Sequence, residues 1–133
     1  MTSHNGRVLI IAGSDSGGGA GIQADIKAVT MLGGYAMTAV TAITVQDTKG
    51  VHGVWPVPLE AVLGQIKVTL ADIGADAIKT GMLGDVATVE RVAAILGSAP
   101  GVAAVIDPVM VAKGGASLLA ARAVEAVREL MIP

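Results

Sequence analysis

The fold is decided near the amino terminus by the stretch Val8-Leu-Ile-Ile-Ala-Gly-Ser-Asp-Ser-Gly-Gly-Gly-Ala-Gly21. Its first five residues form a short, branched apolar run that ends at Gly13, a pattern typical of a strand buried on both faces. Apolar residues at helical spacing follow the glycines and predict a helix over 21–32 that stops at the Gly33-Gly34 pair. A buried strand, a glycine-rich turn and a helix together predict the first unit of an α/β protein.

The rest of the chain repeats this alternation of strand and helix. The predicted elements are strands over 36–45, 75–79 and 102–106, helices over 59–73, 85–96 and 117–130, and a loop between 46 and 58. Short buried strands that alternate with helices indicate an α/β fold with a parallel sheet. Such sheets bind ligands beyond the carboxyl ends of their strands, so the residues that follow each strand are the candidates for a site.

Composition excludes several classes of protein. The 133 residues are 53% hydrophobic and only 15% charged, a composition that excludes a disordered chain. The formal net charge is −2 and no cluster of basic residues is visible, which argues against nucleic-acid binding. Cysteine is absent, and His4 and His52 are far apart, so thiol chemistry and histidine-based metal sites are not expected. No apolar run approaches the ~18 residues of a membrane-spanning helix, and no signal peptide pattern is visible. We expect one cytoplasmic domain that binds neither nucleic acid nor membranes.

The glycine-rich turn is a candidate ligand site, because backbone N–H groups before a helix can approach an anion or a flat ligand. The dinucleotide-binding fingerprint fails at Ile22, where it requires glycine, and the Walker pattern fails because no Gly-Lys pair follows Gly13 at the required spacing. A flexible turn with a helix cap is the alternative interpretation.

Two polar residues near this turn have both a functional and a structural interpretation. Asp25 shares helical spacing with Ile22 and Val29, which predicts a carboxylate on the inward face of the first helix. Such a group needs a donor from protein, water or ligand, and a structural hydrogen bond to the glycine-rich turn would also satisfy it. Gln46 follows the second predicted strand, and its amide suits the edge of a heteroaromatic ring, although a polar loop residue has the same pattern.

Further candidates follow the third and fourth predicted strands. Lys79 can meet a phosphate or pair with an acid such as Asp107, and Met82 can form an adaptable wall for a planar ligand or part of the core. Asp107, with Lys113 nearby, fits Mg²⁺ held by one carboxylate and substrate phosphates, with an Asp-Pro turn as the alternative. These strand ends converge if the sheet is parallel, which favours a small-molecule site.

Four segments, in order along the chain, resemble the bacterial hydroxymethylpyrimidine/phosphomethylpyrimidine kinases. The segments are Ile11–Lys27, Thr38–Ala42 with Val45–Thr48, Ile78–Leu83 and Ile106–Lys113. The resemblance implies a ribokinase-like α/β fold, with a mostly parallel sheet flanked by helices. It also implies phosphorylation of 4-amino-5-hydroxymethyl-2-methylpyrimidine and of its monophosphate in thiamine biosynthesis, with ATP and Mg²⁺. The related pyridoxal kinases share the fold, but the first segment is closer to the pyrimidine kinases.

The resemblance also implies roles for individual residues. Gln46 would hydrogen-bond the aminopyrimidine, and Asp107 would lie near Mg²⁺ and the transferring phosphate. The residues that would line the substrate pocket are Gly13, Asp25, Met82 and Val109. Lys79 and Lys113 are the candidate phosphate contacts.

The resemblance covers only the first half of the family's length. The second half of the family carries most of the ATP site and the general base that deprotonates the attacking hydroxyl. We therefore expect this chain to be the N-terminal part of a single kinase domain and to be inactive by itself. A half sheet would expose an edge strand and an apolar face, which favours self-association, such as a homodimer, or poor solubility. The alternatives are a non-catalytic module that binds a pyrimidine or vitamin precursor, and a structural fragment without a ligand.

Overall fold

The computed structural model describes residues 6–109 and 125–131, which alternate between strands and helices. The strands are β1 (Arg7–Ala12), β2 (Tyr35–Val40), β3 (Ala42–Gln46), β4 (Val51–Pro56), β5 (Ala77–Thr80) and β6 (Ala103–Ile106). The helices are α1 (Gly21–Met31), α2 (Leu59–Asp72) and α3 (Val86–Gly97), and a π-helical turn covers Val127–Met131.

The main sheet has four strands in the order β2-β1-β5-β6, and every neighbouring pair in it is parallel. The predicted parallel sheet is therefore confirmed. The central strand β1 is short and apolar because helices cover both of its faces. In β1, Leu9 and Ile11 pack towards α2, α3 and the turn at 127–131, while Ile10 and Ala12 pack with Ile22 of α1. The described chain thus forms a three-layer α/β/α arrangement.

The prediction of one strand over 36–45 is wrong, because the chain turns at Thr41. Its backbone N–H donates to the carbonyl of Ala12 at 2.9 Å, and its hydroxyl donates to the carbonyl of Met82 at 2.6 Å. The side chain is buried, and these bonds anchor it between β1 and the end of β5. The residues before it continue into the parallel sheet, whereas those after it form β3 in a separate two-stranded sheet. No glycine or proline marks this turn in the sequence.

The predicted loop over 46–58 is also partly wrong, since β4 pairs antiparallel with β3. Asp47 closes the turn between the two strands: its Oδ1 accepts from the backbone N–H groups of Lys49 and Gly50 at 2.8 and 3.1 Å. Side chains of this type stabilise tight turns by such local bonds. We call β3 and β4 the ribbon.

The helices predicted before residue 100 are confirmed to within two residues at their ends. The amino end of α3 is capped by Asp85, whose side chain accepts from the backbone N–H of Thr88 at 2.8 Å. Of the predicted helix over 117–130, residues 117–124 lie outside the described residues. Within the described residues, no helix has both the length and the apolar composition to cross a membrane.

Strand β6 lies at one edge of the main sheet as far as the structure describes the chain. Its Val105 side chain is 57% exposed, and the strand contains neither charge nor proline. Edges of this kind are prone to pair with other strands. The expected self-association, including a homodimer, stays a prediction.

Candidate functional site

A cavity of about 300 Å³ lies at the carboxyl ends of β1, β5 and β6, where ligands of parallel sheets are expected. Helix α1 and the ribbon form its remaining walls. This volume is at the small end of the range for ligand pockets. The lining residues are Ala12, Gly13, Ser14, Ala20, Gly21, Ala24, Asp25, Thr44, Gln46, Lys79, Gly81, Met82, Asp107 and Val109.

Every candidate site residue in the described part of the chain lies on this cavity. These residues are Gly13, Asp25, Gln46, Lys79, Met82, Asp107 and Val109. Lys113 lies outside the described residues. The structure therefore brings the candidates together, while their roles towards a ligand stay predictions.

Two glycines allow the turn after β1 to pack closely. Gly21 has a φ of +58°, and a Cβ there would lie 2.5 Å from the carbonyl oxygen of Gly13. That carbonyl accepts from the backbone N–H of Ile22 at 2.9 Å, so α1 begins directly against the end of β1. A Cβ at Gly13 would overlap Cε of Met82 across the cavity. Any side chain at either position would displace the cavity wall.

The glycine-rich turn binds a carboxylate of the protein itself. Asp15 is 4% exposed, and its two carboxylate oxygens accept from the backbone N–H groups of Gly17 and Gly19 at 2.8 and 3.0 Å. Its own N–H donates to Oε1 of Gln23 at 2.7 Å. These two N–H groups, which sequence analysis treated as candidates for a ligand anion, are therefore already bonded. Sequence reasoning missed Asp15, although an aspartate two residues before a glycine is a known turn signal.

An ion pair joins α1 to β5 inside the cavity. Nζ of Lys79 donates to Oδ2 of Asp25 at 2.7 Å, and the two side chains are 20% and 23% exposed. The same Nζ lies 4.0 Å from Oδ2 of Asp107. Asp25 thus finds its donor in Lys79, an arrangement that the sequence left open. The three formal charges sum to −1, so the group has one excess negative charge beside the cavity.

Asp107 is the candidate ligand for a magnesium ion. Its backbone N–H donates to the carbonyl of Thr80 at 3.0 Å, which fixes the residue at the end of β6, and its side chain is 56% exposed. Within the described residues, no group of three or more histidine or carboxylate side chains could hold a metal by itself. One accessible carboxylate fits Mg²⁺, which proteins bind through one or two carboxylates together with water and substrate phosphates.

Gln46 is the last residue of β3, at the point where the pairing of the ribbon shifts register. The neighbouring Asp47 accepts a hydrogen bond from the ring of His52 at 2.8 Å and two more from the turn backbone. These bonds stabilise the carboxylate form and lower the pKa of Asp47, with the bond to His52 as the largest cause. The turn beside Gln46 is therefore stabilised by the carboxylate form of Asp47.

A parallel sheet covered by helices, with a cavity of polar and apolar residues at the carboxyl ends of its strands, defines an α/β domain whose cavity lies where such domains bind small molecules. The family model of phosphomethylpyrimidine kinase matches residues 15–133, and the chain belongs to this family. The hydroxymethylpyrimidine/phosphomethylpyrimidine kinase of Streptomyces coelicolor is 51% identical over 128 residues, which are 95% of this chain and 46% of that protein. The enzyme of the same name from Bacillus subtilis is 50% identical over 127 residues, with 96% and 47% covered.

Solved structures show the same fold. The phosphomethylpyrimidine kinase of Clostridium difficile superposes with a TM-score of 0.87 and 40% identity, over 96% of this chain and 55% of that one. The pyridoxal kinase of Staphylococcus aureus in complex with pyridoxal superposes with a TM-score of 0.84 and 40% identity, over 96% and 47%. The expected ribokinase-like fold is thus confirmed. The chain spans about half the length of the curated relatives it matches.

Proposed function

We propose that the chain is the N-terminal, substrate-binding part of a kinase for 4-amino-5-hydroxymethyl-2-methylpyrimidine and its monophosphate in thiamine biosynthesis, with ATP as the phosphate donor. The observation that carries this proposal is the composition of the cavity. One amide, one ion pair and one accessible carboxylate meet there with apolar side chains, in a chain that belongs to the phosphomethylpyrimidine kinase family.

Gln46, Met82 and Val109 are cavity residues that suit a small substituted heterocycle. The amide of Gln46 has both a donor and an acceptor for the amino group and ring nitrogen of a pyrimidine. Met82 and Val109 provide apolar walls for the ring faces, and Met82 is adaptable because its side chain is unbranched. The absence of a side chain at Gly13 allows Cε of Met82 to pack against the backbone, which sets the position of this apolar wall.

The charged cavity residues Lys79 and Asp107 suit the group that receives the phosphate. In the proposed reaction the hydroxymethyl oxygen attacks the γ-phosphorus of ATP, the bond to the bridging oxygen breaks, and ADP leaves. The hydroxyl proton passes to a general base, which the resemblance places in the second half of the family. Bound Mg²⁺ would neutralise phosphate charge, with Asp107 as its carboxylate ligand.

Lys79 would hold a positive charge near the transferring phosphate. Its ammonium group is fixed by Asp25 at 2.7 Å and lies 4.0 Å from Asp107, between the two carboxylates. A fixed charge stabilises the developing negative charge without having to reorganise during the reaction. Lys113 is the second proposed phosphate contact.

Pyridoxal is the competing substrate. The pyridoxal kinase of Staphylococcus aureus has 40% identity to this chain, the same as the phosphomethylpyrimidine kinase of Clostridium difficile. The higher identities to the pyrimidine kinases, 51% and 50%, favour the pyrimidine. We therefore expect the chain to bind the hydroxymethylpyrimidine more tightly than pyridoxal.

Calorimetric titration tests this proposal. Ligand binding is the readout, because the chain spans about half the length of its relatives. We expect the folded chain to bind the hydroxymethylpyrimidine, and we expect Gln46→Ala to weaken binding at least tenfold, since the loss of one partner leaves polar ligand atoms without a bond. Lys67→Ala, on the exposed side of α2, is the control and should bind like the wild type. Equal binding by Gln46→Ala, or tighter binding of pyridoxal, would contradict the proposal.

A further inference from the structure

The glycine-rich turn pairs with the free edge of β3 through serine side chains. The backbone N–H of Ser14 donates to the carbonyl of Ala42 at 2.9 Å. In return, the N–H of Thr44 donates to Oγ of Ser14 at 3.0 Å, and the hydroxyl of Thr44 donates to the carbonyl of Ser14 at 2.7 Å. The turn thus takes the place of a third strand beside the ribbon.

Ser16 completes this pairing at Gln46. The hydroxyl of Ser16 donates to the carbonyl oxygen of Gln46 at 2.6 Å, and Oγ of Ser16 accepts from the backbone N–H of Gln46 at 2.8 Å. A single side chain therefore bonds both backbone polar groups of Gln46. No other side chain in the described residues has this relation to a residue of the cavity.

These two bonds hold the backbone of Gln46 at the end of the ribbon. The residue lies at the register shift that ends β3, and in β4 no residue is buried. A two-stranded ribbon is marginally stable without further packing. The bonds to Ser16 connect its end to the same turn that contributes Gly13 and Gly21 to the opposite part of the cavity wall.

We propose that Ser16 is a positioning residue for ligand recognition. It sets the backbone of Gln46, and thereby the direction of the Gln46 amide, without touching the ligand. The inference rests on the proposed function, because the ligand against which the amide is directed is the hydroxymethylpyrimidine. Ser16, the second serine of the glycine-rich turn, would thus contribute to ligand specificity and not to anion binding.

A double-mutant cycle tests this inference by calorimetric titration with the hydroxymethylpyrimidine. We expect Ser16→Ala to weaken binding about tenfold, which corresponds to roughly one net hydrogen bond. In the Gln46→Ala background the same change should alter affinity less than about twofold. Ser16→Thr keeps the hydroxyl, and its additional methyl group has room because Ser16 is exposed. It should restore binding.

Ser98→Ala is the matched control, since it also removes a serine hydroxyl that donates to a backbone carbonyl, at the end of α3 and away from the cavity. It should bind like the wild type. Unchanged binding by Ser16→Ala, or an equal loss in the Gln46→Ala background, would overturn the inference.

Hydrogen exchange of the Gln46 backbone N–H separates this inference from the proposed function. We expect this proton to be protected in the wild type and to exchange at least tenfold faster in Ser16→Ala. If the wild-type chain binds no pyrimidine, the proposed function fails. The exchange rate of the Gln46 N–H in the wild type and in Ser16→Ala then shows by itself whether Ser16 positions Gln46. A Gln46 proton that is unprotected in the wild type would overturn that role without any variant.

Discussion

Replacement of Lys79 by methionine would test whether the ion pair inside the cavity holds α1 against β5. Nζ of Lys79 lies 2.7 Å from Oδ2 of Asp25, and the side chains are 20% and 23% exposed. Methionine keeps most of the aliphatic length and removes the charge. The carboxylate of Asp25 would then remain partly buried without its donor.

The magnitude follows from the exposure of the pair. Exposed ion pairs contribute about 0–1 kcal/mol. Removal of one partner from a fully buried pair costs about 3–5 kcal/mol, because a charge is left buried. With about a fifth of each side chain exposed, we expect Lys79→Met to lower the free energy of unfolding by about 2 kcal/mol.

Urea unfolding at neutral pH, followed by circular dichroism, measures this change. Lys67→Met on the exposed surface of α2 is the control, and it should change the free energy of unfolding by less than about 0.5 kcal/mol. In an Asp25→Asn background the effect of Lys79→Met should fall by about 1 kcal/mol or more. An unchanged effect in that background, or a loss no larger than the control's, would refute the reasoning.

Three further changes test the account by the same unfolding assay. Gly21→Ala should lower the free energy of unfolding by about 2 kcal/mol or more, because the φ of Gly21 is +58° and the new Cβ would meet a backbone carbonyl. Gly64→Ala should raise the free energy of unfolding by about 0.5–1 kcal/mol, because Gly64 lies in the middle of α2 with open space around it. Equal effects of the two changes would contradict this explanation. Thr80→Val should leave stability unchanged or raise it, since the buried hydroxyl has no hydrogen-bond partner in the described chain; a loss above about 1 kcal/mol would indicate a hidden partner such as water. Because the pKa of Asp47 is lowered in the folded chain, its carboxylate stabilises the fold above about pH 4, and this contribution is lost as pH falls through the folded-state pKa. Asp47→Asn should therefore make the free energy of unfolding depend less on pH in the acid range. An acid limb of unchanged slope in that variant would contradict the assigned bond to His52.

The sequence was sufficient to predict the main sheet because branched apolar runs and helical spacing are local signals. The break at Thr41 has no such signal, since its cause is a pair of bonds to Ala12 and Met82 that form only in the folded chain. The ribbon was missed for a related reason. Its second strand contains Gly53, Trp55 and Pro56 and lies mostly on the surface, so it lacks the apolar pattern of a buried strand.

The location of the candidate site could be predicted because parallel topology brings strand ends together. The partners within it could not: Lys79 and Asp25 are 54 residues apart, and nothing local pairs them. The occupation of the glycine-rich turn by Asp15 was not predicted either, because the glycines were interpreted as open to a ligand. The bonds from Ser16 to Gln46 join residues 30 positions apart and likewise needed the structure.

The central claim is that the cavity beside Met82 binds the hydroxymethylpyrimidine, and a methyl NMR titration tests it most directly. With ¹³C-labelled methionine methyl groups, the Met82 signal reports on the cavity wall, and the signal of Met31, which is 85% exposed on α1, is the internal control. The account predicts that the Met82 signal shifts and saturates with the ligand, owing to the nearby aromatic ring, while the Met31 signal stays in place. A Met82 signal that does not move in the folded chain at saturating pyrimidine would contradict the account.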